Sequence, residues 1–363
     1  MIIYLAGVPG GGTTGECKRE RELNLFWNKR LWTYYWIIIK NNNEKMPKIR
    51  NKKVELMLDS GAFSAWNQGV SISLKDYIDF CLENIEVIDF IVNLDVIPGK
   101  GPFIKVTKKD IENSAYEGWK NYETMLDAGI PKEKLIHVFH QGESMDWLER
   151  MVDEIPYIGI SPANDRTTEQ KMLWLDKCMN IVTDKQGFPI VKFHGFGVTS
   201  LTLMLRYPWY SVDSTSWVVA GRMGSIYIPR WKGKWIYDEN SWKIAVSNRS
   251  PNIKDAGKHI STLTPEERRI FLNYIHEKGY QMGKSEFRDV AQSHKLAENE
   301  RWYDKKPKTK SEKRKLEIIT EPGISNKYQL RDEMNIIYFL DLERSMPEWP
   351  WAFKKKGAAN GFF

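Results

Sequence analysis

The sequence has few cysteines. Only Cys17, Cys81 and Cys178 occur among its 363 residues, and they are widely separated. A zinc site or a dithiol redox centre needs a closely spaced pair such as CxxC, and the sequence contains none. The sequence therefore argues against both kinds of site. Isolated, reduced cysteines are typical of the cytoplasm, so we expect a cytoplasmic protein.

Long hydrophobic segments are also missing. The apolar stretch over residues 31–39 has nine residues (LWTYYWIII), whereas a transmembrane helix needs about 20. Met1 is followed directly by an apolar run, without the basic residues that begin a signal peptide. We therefore expect no membrane-spanning segment and no membrane partner.

The charge is moderately basic, with 54 Lys and Arg against 47 Asp and Glu, a net charge of +7. This balance favours an anionic partner, although many enzymes are equally basic. Residues 301–315 hold eight Lys or Arg against two acids. Such a cluster is typical of a solvated linker or of a segment that contacts nucleic-acid phosphates, and the sequence leaves both open. The eight are Arg301, Lys305, Lys306, Lys308, Lys310, Lys313, Arg314 and Lys315.

Short apolar runs alternate with amphipathic stretches up to about residue 230. This alternation predicts a parallel sheet covered by helices, and eight runs favour an α/β protein whose strands close into a (β/α)8 TIM barrel. The predicted strands lie within residues 2–7, 54–59, 87–95, 134–142, 157–161, 188–195, 210–214 and 224–229. Apolar residues spaced three and four apart predict helices over residues 74–86, 110–128, 145–153 and 168–182.

The pattern changes after about residue 250. Thr264 and Pro265, followed by two glutamates, predict the start of a helix that runs to about Lys278. A second helix is predicted over residues 285–303, and a last helix or strand near residues 336–342. We therefore expect a barrel over residues 1–250 and a mainly helical, basic appendage over residues 251–363, which contacts nucleic acid or packs on the barrel.

Polar residues follow most of the predicted strands, where the active sites of α/β barrels lie. Each of the acids could instead cap a following helix, but the sequences after Asp59 and Asp213 do not begin an obvious helix. A single histidine in a barrel is more often a structural residue than a catalytic one. These polar residues are Asp59, Asn93, Asp95, His140, Gln141, Ser161, His194 and Asp213.

The loop GVPGGGTTGE over residues 7–16 resembles a phosphate-binding loop in its glycine spacing. A P-loop needs a lysine, and Thr13 stands at that position. The role of the Gly7–Gly15 loop stays open, with phosphate contact as the weaker alternative.

Several of these motifs together resemble the tRNA-guanine transglycosylase superfamily. The similarity is greatest to its branch in bacteria and bacteriophages that inserts 7-deazaguanine bases into DNA, and it covers most of the first 230 residues. The motifs are LDSGAFSAW (58–66), NLD (93–95), VFHQGE (138–143), YIGIS (157–161), KFHGFGVTS (192–200), YSVDSTSW (210–217) and AGRMGSIYIPR (220–230).

The resemblance implies a reaction and a role for each matched residue. Guanine in a nucleic acid is exchanged for a free 7-deazaguanine base while the backbone stays intact. Asp213 would be the nucleophile and Asp59 the general acid/base. The base would be bound by Phe63, Asp95, Gln141, Gly159, Ile160, His194 and Gly195, and the nucleic acid by Arg222, Arg230, Lys305, Lys306, Lys308 and Lys310.

The residue types fit this chemistry independently. Expulsion of a purine builds positive charge on the sugar, and a carboxylate can stabilise that charge and form a covalent glycosyl-enzyme. A second carboxyl group must then move protons on the departing and arriving bases. Phe63 would stack on a base that has been flipped out of the helix.

One departure from the family concerns zinc. Members that act on tRNA carry a zinc site of clustered cysteines and a histidine, and this sequence has no cysteine after Cys178. We therefore expect no metal and no cofactor, and we favour DNA over tRNA as the substrate polymer. An inactive barrel that binds nucleic acid is the alternative from another class. The incoming base, the target sequence and a possible homodimer stay open, and a viral protein would act in the host cytoplasm.

Overall fold

The computed structural model describes residues 1–7, 29–36, 54–99, 106–239, 241–250, 255–304 and 313–353. The chain forms two compact units. The first runs from Met1 to Thr215 and also includes the segment that begins at Leu342, and the second runs from Ser216 to Asp341. The sequence placed the boundary near residue 250, so the second unit begins earlier along the chain than expected.

The first unit contains a parallel sheet with nine strands in its described residues. Their order is β5-β4-β3-β2-β1-β9-β8-β7-β6. Only His137 separates β5 from β6 along the chain, so the two ends of the sheet meet and the barrel is nearly closed. The strands are β1 Ile2–Ala6, β2 Lys29–Thr33, β3 Glu55–Asp59, β4 Phe90–Val92, β5 Leu135–Ile136, β6 Val138–His140, β7 Tyr157–Ser161, β8 Lys192–Gly195 and β9 Ser211–Ser214.

Two predictions about the barrel strands were wrong. The run over residues 224–229 contains a strand of the second unit, which pairs there in antiparallel fashion. The run is apolar because Ile226 and Ile228 belong to the core of that unit. The eight predicted strands also omit β2, which lies between β1 and β3. Its first two residues are basic, and they hide the strand in the sequence although the Arg30 side chain is buried.

The helices of the first unit follow the predicted pattern. All four helices predicted from apolar spacing are present as α2 to α5, with ends that differ from the prediction by three residues at most. Thr107 and Thr167 begin α3 and α5 with capping boxes, which satisfy free backbone N–H groups. The helices are α1 Ala62–Asn67, α2 Leu74–Glu83, α3 Lys108–Asp127, α4 Met145–Glu154, α5 Thr168–Val182 and α6 Leu201–Arg206.

Packed side chains fill the interior of the sheet. One cluster joins residues from seven of the nine strands, and all its members are buried. This packing fixes the strands relative to one another, so that residues at the strand ends are held in a set geometry. The cluster consists of Tyr4, Ala6, Leu31, Met57, Val92, Ile136, Val138 and Tyr157.

The second unit combines helices with short antiparallel sheets. Its core includes Phe271, Tyr274 and Ile275 of α8, which pack with residues of β10 and β13. Only the part of α9 up to Asp341 belongs to this unit. Its elements are α7 Ser216–Arg222, β10 Ser225–Ile228, β11 Arg230–Trp231, β12 Trp235–Ile236, β13 Trp242–Ala245, α8 Pro265–Glu277, β14 Lys284–Val290, β15 Glu300–Trp302, β16 Arg314–Glu321 and α9 Tyr328–Ser345.

The prediction of a mainly helical appendage was wrong in part. The helix after Thr264 is confirmed, with Thr264 as its N-cap and Pro265 in its first turn. The segment over residues 285–303 contains β14 and β15 instead of a helix. Both strands pair with β16, which lies later in the chain. Such long-range pairing overrides local helix propensity, and a short sequence window cannot reveal it.

One buried carboxylate organises this three-stranded sheet. Glu317 of β16 is 1% exposed and accepts two hydrogen bonds from Arg301, at 2.8 Å and 3.0 Å. Ser285 of β14 donates a third, at 2.9 Å. Arg249 adds a longer contact at 3.4 Å. The charge of Glu317 is therefore fully compensated, and the residue joins all three strands.

Candidate active site

The predicted site residues of the first unit lie at one edge of its sheet. Asp59 and His140 are the last residues of β3 and β6, and Asp213 is the third of the four residues of β9. Asp95 follows the end of β4 by three residues. Because all these strands are parallel, their carboxyl ends meet at the same mouth of the barrel.

Asp59 is a carboxyl group that holds its proton more tightly than usual. Burial and the negative charges of Asp95 and Asp213 raise its pKa to about 7, against the hydrogen bonds from the Gly61 backbone and the Thr33 hydroxyl. The Thr33 Oγ1 atom lies 3.2 Å from Asp59 Oδ2. Asp59 is therefore present in both protonation states near neutral pH.

The backbone after Asp59 turns sharply because of a glycine. Gly61 has a φ of +76°, and a Cβ at this position would lie only 2.4 Å from the Thr33 Cγ2 atom and 2.6 Å from the Tyr35 Cβ atom. Both the positive φ and the close approach favour glycine. The turn brings the chain directly into α1, whose second residue is Phe63.

Phe63 presents an aromatic ring at the start of this helix. Its side chain is 50% exposed, and its ring stacks on that of Trp66 with centroids 6.2 Å apart and an interplanar angle of 24°. The Trp66 indole donates a hydrogen bond to the Gly99 carbonyl at 3.1 Å, which fixes the ring. Two parallel rings thus form a platform on which a flat base could stack.

A histidine lies between two carboxylates near the ends of β4 and β6. The His140 Nε2 atom is 3.1 Å from Asp95 Oδ2, and its Nδ1 atom is 3.2 Å from Glu143 Oε1. Burial acts to lower the pKa of His140, but the hydrogen bonds and charges of Asp95 and Glu143 raise it to about 10. His140 is therefore a cation that lies between the carboxyl groups of Asp95 and Glu143. Glu143 has no role predicted from the sequence, although it follows His140 by three residues in VFHQGE.

One oxygen of Asp95 has no hydrogen-bond partner. Asp95 Oδ1 is buried, and among the described residues no group donates to it. A buried carboxyl oxygen without a partner is costly unless a donor from elsewhere reaches it. This oxygen is therefore suited to accept an N–H group of a bound molecule.

Gln141, Gly159 and Ile160 were predicted to read the base edge. The Gln141 Oε1 atom accepts a hydrogen bond from the Ala163 amide at 3.0 Å, which fixes the carboxamide. Within the sheet, the Gly159 N–H bonds to the His137 carbonyl and the Phe196 N–H bonds to the Ile160 carbonyl. The two backbone groups are thus already used in strand pairing, and contact of these residues with a base stays a prediction.

Asp213 is held from one side by the chain after β8. The Gly197 N–H donates to Asp213 Oδ1 at 2.7 Å. The His194 Nε2 atom lies 3.4 Å from the same oxygen, and His194 is fully buried. Gly195 packs closely as well, because a Cβ there would lie 2.8 Å from Val198. The predicted contact of His194 and Gly195 with a base stays a prediction, although burial leaves His194 no exposed ring face.

Part of the predicted nucleic-acid surface can be located. Arg222 is exposed at the last residue of α7, and Arg230 begins β11 with its guanidinium 4.8 Å from the Trp242 ring. Lys305, Lys306, Lys308 and Lys310 lie outside the described residues, as do residues 8–15 of the glycine loop.

The described residues contain no group of three or more His, Cys, Asp or Glu side chains placed to hold a metal ion. In the same part of the chain, no helix is long and apolar enough to cross a membrane. No protein-family model matches the sequence, and a search of curated proteins finds no similar one.

Proposed function

We propose that the protein is a base-exchange transglycosylase that replaces guanine in DNA with a 7-deazaguanine through a covalent glycosyl-enzyme. We also propose that its barrel is of the (β/α)8 type, with β5 and β6 as one strand interrupted at His137. The observation that carries the proposal is the pair of carboxylates Asp59 and Asp213 at one barrel mouth, one of them with a pKa near neutrality.

The chemistry requires a nucleophile that is held in place. Asp213 receives the Gly197 N–H on Oδ1 at 2.7 Å, which fixes the orientation of the carboxyl group. In the first step Asp213 forms a bond to C1′ of the nucleotide as the bond from C1′ to N9 breaks. The electron pair of the broken bond goes to N9 of the guanine, which takes a proton from Asp59.

The second step reverses the first with another base. The incoming 7-deazaguanine gives its N9 proton to the Asp59 carboxylate and attacks C1′, which releases Asp213. Two displacements at one carbon retain the sugar configuration. A group that gives and then takes a proton works best with a pKa near the working pH, and Asp59 has one of about 7.

The remaining polar groups of the mouth suit a guanine. A guanine edge presents two N–H donors, at N1 and N2, and Asp95 Oδ1 offers a buried acceptor that has no partner among the described residues. The His140 cation holds the other oxygen of Asp95 at 3.1 Å. The Phe63 and Trp66 rings offer a surface for the base or its neighbour, which offsets the cost of unstacking.

DNA is favoured over tRNA by the sequence. The chain lacks cysteines after Cys178 with which tRNA-acting members of the resembled family bind zinc. The second candidate is exchange in tRNA with the same residues, and the third is an inactive barrel that binds nucleic acid. No cofactor takes part in the proposed reaction.

The test uses duplex DNA and tRNA in parallel, a panel of 7-deazaguanines with nitrile, amide or aminomethyl groups, and mass spectrometry of the nucleosides. We expect modified nucleosides from DNA with the unchanged protein. Asp213→Asn is expected to lower the rate by at least about 1,000-fold, as for other lost nucleophiles. Asp127→Asn removes an exposed carboxylate at the end of α3 and serves as the matched control.

The outcomes separate the candidates. Full exchange by Asp213→Asn would contradict the assignment of the nucleophile, and modified nucleosides from tRNA alone would favour the second candidate. No exchange with any base, together with salt-dependent DNA binding that Asp59 and Asp213 substitutions leave unchanged, would favour the inactive barrel.

A further inference from the structure

A chain of hydrogen bonds runs behind Asp213 through the interior of the barrel. The Tyr157 hydroxyl lies 2.5 Å from Ser211 Oγ, and the same Oγ lies 2.6 Å from His194 Nδ1. Ser211 and His194 are fully buried, and Tyr157 is 3% exposed. Three strands, β7, β8 and β9, supply one residue each. The chain is therefore part of the rigid sheet.

The direction of this chain follows from counting protons. Within the described part of the protein, Ser211 is the one hydrogen-bond partner of the Tyr157 hydroxyl. A buried hydroxyl proton without an acceptor is unfavourable, so Tyr157 donates to Ser211. The single proton of Ser211 is then directed at His194 Nδ1, which must accept it. His194 is thereby held as the tautomer that carries its proton on Nε2.

The other nitrogen of His194 faces Asp213. Nε2 is 3.4 Å from Asp213 Oδ1 and, among the described residues, has no hydrogen bond of its own. The ring is fixed by Phe196, 4.4 Å away between centroids, and by Tyr4 at 5.9 Å. A contact of this length is typical of catalytic groups without substrate, and it shortens in the reacting complex.

We propose that His194 is a positioning residue for Asp213, with its tautomer set by Tyr157 and Ser211. The His194 Nε2–H and Gly197 N–H groups both hold Asp213 Oδ1 and leave Oδ2 to attack C1′. Tyr157 and Ser211 have no role predicted from the sequence, and holding Asp213 requires no exposed face of the buried His194. It rests on the proposed function, because Asp213 is the nucleophile only in that reaction.

The first test measures the tautomer and does not require activity. Protein labelled with 15N-histidine is compared with His194→Gln to assign the His194 signals. We expect an unprotonated Nδ1 and a protonated Nε2 in the unchanged protein. In Ser211→Ala the preference for this tautomer is lost. Ser114→Ala removes a buried hydroxyl of α3 outside this chain and should change neither signal.

The second test measures exchange. By analogy with other groups that orient a functional histidine, Ser211→Ala should lower kcat about 10-fold to 100-fold with little change in KM. Tyr157→Phe should have a smaller effect in the same direction. Ser211→Thr keeps the hydroxyl and should retain the rate of the unchanged protein. A His194 protonated on Nδ1, or an unchanged tautomer and an unchanged kcat in Ser211→Ala, would overturn the inference. The expected NMR signals in a protein without any exchange activity would contradict only the proposed function.

Discussion

Glu317 in the second unit and Asp59 in the first are both carboxyl groups removed from bulk water, but their surroundings are opposite. Glu317 receives four hydrogen bonds from Arg301, Ser285 and Arg249. Asp59 receives hydrogen bonds from Gly61 and Thr33, but burial and two further negative charges raise its pKa to about 7. The donors around Glu317 stabilise its negative charge, whereas the surroundings of Asp59 make a negative charge unfavourable.

This difference separates a structural carboxylate from a reactive one. A buried acid that is fully paired has no acceptor left for a substrate. An acid beside like charges gains a proton near neutral pH, and an unpaired oxygen such as Asp95 Oδ1 can bind a donor. Groups with such shifts cluster at functional sites, and the barrel mouth of the first unit has this character.

The largest expected effect comes from breaking the paired carboxylate. Glu317→Leu removes the buried partner of both Arg301 and Ser285, so we expect a loss of about 3–5 kcal/mol in the free energy of unfolding. Denaturant unfolding, followed by the fluorescence of the tryptophans, measures this loss.

The double variant Glu317→Leu/Arg301→Met is the matched control. Because it replaces both charges with apolar groups, we expect it to recover most of the lost stability. If Glu317→Leu were as stable as the unchanged protein, the hydrogen bonds of Glu317 would not stabilise the fold. Glu317 would then not differ from the carboxylates of the barrel mouth as a structural residue.

The stability that Asp59 contributes at the barrel mouth should depend on pH. An acid whose pKa is higher in the folded than in the unfolded chain binds an extra proton when folded, so its contribution to stability falls as pH rises from about 4 to 7. With a pKa of about 7 for folded Asp59 and about 4 for the unfolded chain, this loss amounts to about 2–4 kcal/mol.

Asp59→Asn removes this titration. We therefore expect the variant to gain stability relative to the unchanged protein as pH increases from 4 to 7, with no further gain above about pH 8. Urea unfolding at several pH values measures the difference, with Asp127→Asn as the control. Parallel stability curves for Asp59→Asn and the unchanged protein would show that Asp59 has an ordinary pKa.

The sequence revealed the position of the acids better than their partners. Asp59 and Asp213 could be assigned to one barrel mouth because parallel strands all end at the same edge, a property of topology. The partner Glu143 and the chain from Tyr157 to His194 depend on side-chain packing across strands. Such contacts leave no periodic signal in a sequence.

The errors in the predicted fold have related causes. The strand β2 begins with Lys29 and Arg30, and its charge conceals it, whereas β10 is apolar because it is buried in another sheet. A strand also depends on its partner, and β14 pairs with β16 about 30 residues later in the chain. Periodicity therefore predicted the helices of the first unit well, and it failed where a distant segment decides the structure.

The smallest expected effect concerns one hydrogen bond to Asp59. Thr33→Val keeps the shape of the side chain but removes the hydroxyl that donates to Asp59 Oδ2 at 3.2 Å. Because this donor favours the carboxylate, its loss should raise the pKa of Asp59 further, by up to about one unit or 1.4 kcal/mol. The 13C NMR titration of the Asp59 carboxyl group measures the shift, and Thr33→Ser, which keeps the hydroxyl, should show a smaller shift.

A lower pKa in Thr33→Val would mean that the hydroxyl does not stabilise the charge of Asp59. A higher pKa in Thr33→Val would show that each hydrogen-bond donor stabilises the charge of a carboxyl group. Asp59 would then differ from Glu317 in the number of donors that it receives.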